Sequence, residues 1–335
     1  MGSDMNFEKT VNDLFEEILL RKPDKTGLFY FTSQLKNNKL TLNELKKILS
    51  DSEEGQAIKN FSHYSDKYWN DIPMVERYKN KLSTDDENTH WLNDILTRFK
   101  EYLPFKNILI VGCGNGWLER QLYEMKIGLH FDAFDVSQKY IDEAKKLSKN
   151  MPINYFIEDI NTMSHIENKK YDAVFNFAIL HHAAEIENAT KRISEVLKPG
   201  GLIFNEEYVG PARNQYSDEH LEIMLEVMSD LPERFRSKHR LRPALANFRV
   251  EPSEAIHSDQ VIPMFKKYFD IVYERNMNGG IAYMILWNNI EHFINYEDPE
   301  SKKWLNYLLE RDIYYSNQKC VPVMFWYGVG TSKNK

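Results

Sequence analysis

Cysteine is almost missing from this chain: two occur in 335 residues, Cys113 and Cys320. That count excludes a disulfide framework and a zinc cluster built on thiolates. No long block of Lys or Arg appears, and the net charge is −7 with a pI near 5.9. An extended phosphate-binding surface is therefore excluded, and nucleic acid is not an expected partner. Apolar runs are short as well. The longest, around Ile281-Ala-Tyr-Met-Ile-Leu-Trp287, falls far below the ~20 residues that cross a bilayer. No signal-peptide pattern opens the chain, and Met1 to Asp4 read as a remnant ahead of a native start at Met5. The expectation is a cytoplasmic protein without a membrane span. A compact carboxylate and histidine ligand set is also lacking, so no metal site is assigned. At this length a full core and more than one domain are expected.

The strongest positive signal is Ile108-Leu-Ile-Val-Gly-Cys-Gly-Asn-Gly-Trp-Leu-Glu119. An apolar strand runs into Gly112, Gly114 and Gly116, and a helical pattern follows at once. The next apolar run, Phe131-Asp-Ala-Phe-Asp135, closes on an acid nineteen positions after the last glycine. A doubly wound α/β sheet holds an adenosine in this way. Glycines let the backbone approach the ligand, the helix N-terminus faces it, and the carboxylate accepts the ribose hydroxyls. Spacing then narrows the ligand. The dinucleotide pattern G-x-G-x-x-G would put its third glycine at position 117, which is Trp117 here. The form G-x-G-x-G suits a nucleoside without pyrophosphate, whose amino-acid tail crosses the turn. S-adenosylmethionine is such a ligand, and a nicotinamide-dependent oxidoreductase is disfavoured.

Together these features resemble the class I S-adenosylmethionine-dependent methyltransferases over roughly residues 100–208, with later pieces rejoining. Further segments carry the resemblance: Tyr155-Phe-Ile-Glu-Asp-Ile160, Tyr171-Asp-Ala-Val-Phe-Asn-Phe177, Ala178-Ile-Leu-His-His182, and Val196-Leu-Lys-Pro-Gly-Gly-Leu-Ile203. The resemblance implies an α/β fold with a seven-stranded doubly wound sheet. Gly112, Cys113, Gly114 and Gly116 would then contact the cofactor through the turn, and Asp135 would hold the ribose. Val136 and Ile160 would sandwich adenine, Asp159 would accept from its amine, and Asn176 and Phe177 would border the cofactor. One departure stands out. Many relatives carry an acid two positions before the first glycine, where this chain has Ile110. The group orienting the cofactor's amine must then be backbone or come from elsewhere, such as Glu119.

Around this core the sequence divides into a small helical domain at 1–60 and a helical lead-in at 61–100. The methyltransferase core follows at 101–208, then a helical lid insertion at 209–265. Closing strands at 266–332 surround a helical insertion at 282–315. In the first domain Phe7, Val11, Leu14, Phe15, Ile18 and Leu19 recur at helical spacing, and a second helix carries Phe29, Phe31 and Leu35. Thr41 caps a third, with Glu44 in capping-box position. This domain resembles a small bacterial helical domain found beside enzymes of surface-glycan assembly; packing or homo-oligomerisation is the plainer reading. The lead-in is rich in aromatics, Trp69 among them, which serve either the core or a lid over the cleft. Asn205-Glu-Glu-Tyr-Val-Gly-Pro211, Leu231-Pro-Glu-Arg234 and Pro252-Ser-Glu-Ala255 resemble a bacterial methyltransferase subgroup associated with surface-polysaccharide biosynthesis.

Methyl transfer from a sulfonium is an in-line displacement, so positioning comes first. A hydroxyl acceptor also loses a proton, and a placed base contributes ~10²–10⁴-fold. The acceptor belongs beyond the carboxyl ends of the fourth and fifth strands. His181, Glu207 and His257 are the candidate catalytic residues there, and Tyr208, Arg242 and Trp69 the candidate substrate contacts. Each has a plainer role. His181 and His182 can cap or pack, Glu207 can pair with Arg242 to hold a lid, and His257 can start a helix. Glu206 and Glu207 alternate across the strand, so only one of them faces the cleft, and Glu207 is favoured. The expected activity is O-methylation of a sugar, glycan precursor or other small hydroxylated metabolite. N-methylation of an amine and an inactive scaffold are the alternatives.

Overall fold

The computed structural model describes residues 6–19, 22–52, 55, 68–168, 170–236, 252–294 and 298–333. The chain divides into two compact units, residues 1–66 with 243–254 and residues 67–242 with 255–335.

The smaller unit contains three helices: α1 (Phe7–Leu19), α2 (Lys25–Lys36) and α3 (Leu42–Asp51). Val11, Leu14, Phe15 and Leu19 of α1 are buried with Leu35, Leu45 and Leu49. The Asp24 side chain caps α2, and Thr41 and Glu44 form the expected capping box on α3. Phe29 departs from expectation. It is 78% exposed, while Leu28 and Phe31 pack against the cluster. At ~100° per residue, Leu28 and Phe31 share the Leu35 face of the helix and Phe29 lies well off it.

In the larger unit seven strands form one sheet. They are β1 (Phe105–Val111), β2 (Gly128–Asp135), β3 (Ile153–Ile157), β4 (Tyr171–Phe177), β5 (Leu197–Tyr208), β6 (Phe269–Asn276) and β7 (Phe325–Ser332). Their order is β3-β2-β1-β4-β5-β7-β6. Strands β1 to β5 are parallel, and β7 inserts antiparallel between β5 and β6. The seven-stranded doubly wound sheet expected from sequence is therefore present. The chain direction of order reverses at β1 and β4, which opens a crevice at their carboxyl ends.

Helices cover both faces, so the central strands are apolar throughout. Ile108, Leu109, Ile110 and Val111 are each at most 1% exposed. Ile110 lies in the buried cluster that contains Phe175 and Phe204, so an acid at that position would enter apolar surroundings. The glycine turn leads to α6 (Trp117–Glu124), and α7 (Gln138–Leu147) follows β2. On the opposite face, α8 (Ile186–Val196) and α10 (Val261–Tyr268) contribute to a second cluster. α9 (Asp218–Ser229) lies between β5 and α10 in sequence. The last strand begins at Phe325, after a non-strand connection at 321–324.

A third cluster joins α4 (Pro73–Thr84) to the helical insertion, which is α11 (Ala282–Phe293) and α12 (Pro299–Asn317). Asp312 of α12 is fully buried and pins this region. It accepts from Tyr78 Oη at 2.7 Å and from the main-chain N–H groups of Gly279, Ile281 and Ala282 at 2.9, 2.7 and 3.1 Å. Two of these donors begin α11, whose first N–H groups have no helical partner. Asp312→Asn is expected to lower stability by about 2 kcal/mol, seen as an earlier urea midpoint. An unchanged midpoint would show that the clasp adds nothing. Among the described residues, no helix is long and apolar enough to cross a membrane.

Candidate functional site

The turn between β1 and α6 needs its glycines for different reasons. All three adopt positive φ, +63° at Gly112, +51° at Gly114 and +79° at Gly116. A Cβ at Gly112 would lie 2.5 Å from Ile179, and one at Gly116 would lie 2.6 Å from the Tyr155 hydroxyl. Those two glycines permit packing. A Cβ at Gly114 would meet nothing within 4 Å, so this glycine opens the backbone toward free space. Trp117 opens α6 and is 38% exposed, its ring edge-on to Phe177 at 5.1 Å. The bulk that excluded a dinucleotide pattern thus lines the mouth of the turn.

Asp135 ends β2 directly beside it. One carboxylate oxygen accepts from Gly114 N–H at 3.0 Å and the other from Ser137 N–H at 2.8 Å. The side chain is half-buried and is fixed in place by these two main-chain N–H groups. Val136 follows and is 67% exposed, an apolar residue left open at the strand end. Asp159 is exposed, with one oxygen accepting from the Asn161 main chain and side chain, both at 2.8 Å. Its neighbour Ile160 behaves differently. It is only 8% exposed and belongs to the core cluster of Val111 and Phe134, so packing is its main role.

The ends of β4 and β5 carry a buried polar constellation. Glu207 is 1% exposed and its carboxylate is fully engaged. One oxygen accepts from Asn176 Nδ2 at 3.0 Å, from Leu180 N–H at 2.7 Å and from Ile179 N–H. The other lies 2.7 Å from Nδ1 of His181. An ionised carboxylate accepts only, so Nδ1 carries a proton and points at Glu207. His181 is 6% exposed and its ring lies 4.1 Å from that of His182, centroid to centroid. The chain enters this turn through Ala178 at φ +54°, a left-handed conformation unusual for alanine. Glu207 therefore shapes the loop and orients His181. The sequence reading of Glu207 as a base is corrected: its lone pairs are already committed to four donors. The Asn176 amide nitrogen donates to Asn205 and Glu207, while its Oδ1 is buried without a hydrogen-bond partner.

Alternation puts Glu206 on the other face of the sheet, beside Phe177. Glu206 pairs with Lys79 of α4 at 3.1 Å, and these side chains are 6% and 16% exposed. The ammonium also lies 5.5 Å from the Phe325 ring. Burial holds the nearby His90 imidazole below the usual histidine range, with Glu206 opposing that shift. Trp91 of α5 (Trp91–Arg98) stacks on Phe177 at 6.2 Å and 12°. Phe177 thus lies between two tryptophans. Neither Lys79 nor His90 was singled out from sequence. Lys79 is 127 residues from its partner, and only a charged residue in an otherwise amphipathic helix hinted at it.

Other sequence-assigned residues fall elsewhere. Trp69 is 3% exposed and stacks on Phe325 at 5.4 Å, so it is core and not a substrate contact. Tyr208 is 7% exposed and its hydroxyl donates to Asn214 at 2.7 Å, which removes it as a ready substrate donor. His257 precedes the short 3-10 helix Ser258–Gln260, and its carbonyl accepts from Gln260 N–H. Arg242 lies outside the described residues, and Glu254 belongs to the smaller unit. Glu119 is 0% exposed beneath Gly116, near Tyr155 and Ala144. A surface cavity of about 390 Å³ lined by Asn107, His130, Asp132 and Asn154 lies at the amino ends of the strands. It holds none of the assigned residues.

Residues 109–205 match the family described as methyltransferase domain. A ubiquinone biosynthesis O-methyltransferase of Chelativorans sp. (strain BNC1) is 30% identical over 105 residues, 30% of this chain and 40% of that protein. A highly reducing polyketide synthase of Neocamarosporium betae is 25% identical over 138 residues, 39% of this chain and 5% of that protein. The chain spans less than half the length of either relative. Among solved structures, phosphoethanolamine N-methyltransferase 2 of Haemonchus contortus with S-adenosyl-L-methionine is similar at 17% identity and a TM-score of 0.43. That likeness covers 78% of this chain and 56% of the other.

Proposed function

We propose, from this methyltransferase domain, that the chain transfers a methyl group from S-adenosylmethionine to a hydroxyl oxygen of a small acceptor, a sugar or glycan precursor. The residues present fit the donor. Gly114 leaves open space above the turn, Asp135 ends β2 beside it, and Val136 offers an exposed apolar face. Asp135 would take the ribose hydroxyls, Val136 and the exposed carboxylate of Asp159 the adenine, and Phe177 with Trp117 the methionine side. The bound donor supplies an electrophilic methyl carbon on a positively charged sulfur.

The observation that carries the oxygen reading is the 2.7 Å contact between His181 Nδ1 and Glu207 at the strand ends. A hydroxyl loses its proton during transfer, whereas a neutral amine attacks with its lone pair and needs no base at that step. His181 takes the hydroxyl proton at Nε2 while Glu207 steadies the resulting imidazolium. The oxygen–carbon bond forms as the carbon–sulfur bond breaks. Across the cleft, Lys79 and Glu206 offer a donor and an acceptor together, the complement of a hydroxyl pair. Phe177 and the tryptophans give flat apolar surface of the kind that packs against the C–H face of a sugar ring. The surface-polysaccharide resemblance of the segments after β5 supports the same acceptor class, and cytoplasmic precursors would be the site's substrates.

Radiolabelled methyl transfer to a panel of nucleotide sugars and glycan fragments tests this reading. Label in an amine product alone would overturn it in favour of N-methylation, and no label in any acceptor would favour a scaffold. Lys79 and Glu206 are tested together, since removing one partner strands a buried charge. The Lys79→Met, Glu206→Gln double variant is expected to raise the acceptor KM by about tenfold, equivalent to ~1.4 kcal/mol. Donor affinity measured by calorimetry should stay unchanged. An unaltered KM would remove this pair from acceptor binding.

A further inference from the structure

Beneath the glycine turn lies a carboxylate that the transfer step does not use. Glu119 is 0% exposed, and neither of its oxygens has a hydrogen-bond partner. It sits in the first turn of α6 below Gly116, where a Cβ on that glycine would come within 2.9 Å of Glu119 Oε1. Tyr155 of β3 brings its hydroxyl to the same spot, and that buried hydroxyl likewise completes no hydrogen bond. Such groups are rare in folded proteins and ask for a reason. From α7 the Ala144 methyl approaches the same spot, and Ser148 at its end acts on Tyr155.

The charged and titratable neighbours are few. Cys113 in the turn feels both Glu119 and Asp135, Arg120 on the same helix acts weakly on Glu119, and Tyr155 faces it from β3. None supplies a bonded cation. A charge buried in this way is costly unless a countercharge arrives. The ligand proposed to lie across the turn differs from its own product in one respect that matters here. The donor carries a positive sulfonium, and after transfer the sulfur is a neutral thioether.

We infer that Glu119 is a specificity-determining residue, whose carboxylate supplies the missing negative charge under the turn and lets the site hold the sulfonium donor in preference to its thioether product. This rests on the donor reading above and extends it to product release. Glu119 acts through the field across the turn and touches no reacting atom. Its charge state gives the inference a sign. Burial raises its pKa to about 7, so the carboxylate is charged above that pH and neutral below it. Preference for the donor is present in alkaline solution and fades as pH falls through 7.

Calorimetric titration of the full chain with S-adenosylmethionine and with S-adenosylhomocysteine tests this. The ratio of the two affinities is expected to fall about tenfold between roughly pH 8.5 and roughly pH 5.5, a size set by Coulomb attraction over several ångströms at intermediate dielectric. Glu119→Gln should hold that ratio flat near its acidic value, and Tyr155→Phe should preserve the pH dependence. A second readout requires no ligand: difference infrared spectroscopy of the free protein should show a carboxyl band titrating near 7 that Glu119→Gln removes. A wild-type ratio independent of pH, or a Glu119 band titrating below about 5, overturns the inference and leaves the donor reading standing. Failure of both ligands to bind overturns the donor reading itself, and this inference with it.

Discussion

Replacing His181 with alanine is expected to lower kcat by ~10²–10⁴-fold, the usual contribution of a placed base. Affinity for S-adenosylmethionine should not change, because the ring lies on the β4–β5 side and Asp135 on the β2 side. Melting temperature should fall too, because one buried oxygen of Glu207 loses its partner. Glu207→Gln makes a contrasting prediction. Its carboxylate accepts from Ile179 and Leu180 N–H groups and from Asn176 as well as from His181. An amide would turn an N–H₂ group toward one of these sets of donors. The Glu207→Gln variant should therefore lose both kcat and several degrees of melting temperature, and its loop should lose its shape as well. Equal kcat in His181→Ala and wild type would remove the histidine from the chemistry, whatever Glu207 does.

Asp135→Ala is expected to weaken S-adenosylmethionine binding by at least about 100-fold in calorimetry. Two hydrogen bonds from the ribose to a charged acceptor are each worth roughly 1.5–3 kcal/mol. Removal of the carboxylate also frees Gly114 N–H and Ser137 N–H, which it now holds at 3.0 and 2.8 Å. The turn would lose its shape along with its ligand contact. Asp135→Asn separates the two effects, since its amide oxygen can still accept from one N–H group. An affinity within threefold of wild type for the alanine variant would mean that the end of β2 does not hold the ribose.

The glycine turn was legible because its chemistry is local. Positive φ at three glycines, an apolar strand before them and an acid at the next strand end are all written within thirty residues. The central parallel strands were legible for a similar reason, since strands buried on both faces must be apolar, whereas the full count of seven came from the family resemblance. Glu207 shows where local reading fails. Alternation told that Glu206 and Glu207 point oppositely, yet both faces of β5 are covered, so exposure could not choose between them. The buried aromatics misled in the same way. Trp69 and Tyr208 look like ligand residues by type, and their burial against Phe325 and their bond to Asn214 were invisible in the string.

By itself the sequence determined a doubly wound sheet and a turn built for a nucleoside, because both depend on backbone geometry that neighbouring residues dictate. Only the tertiary structure decided which acid is fully engaged, which histidine is oriented and which lysine pairs with Glu206. Those roles depend on partners brought together from 26 to 127 residues away. They also depend on burial, since a carboxylate's chemistry follows from the donors and the dielectric around it, and a chain read in one dimension shows neither.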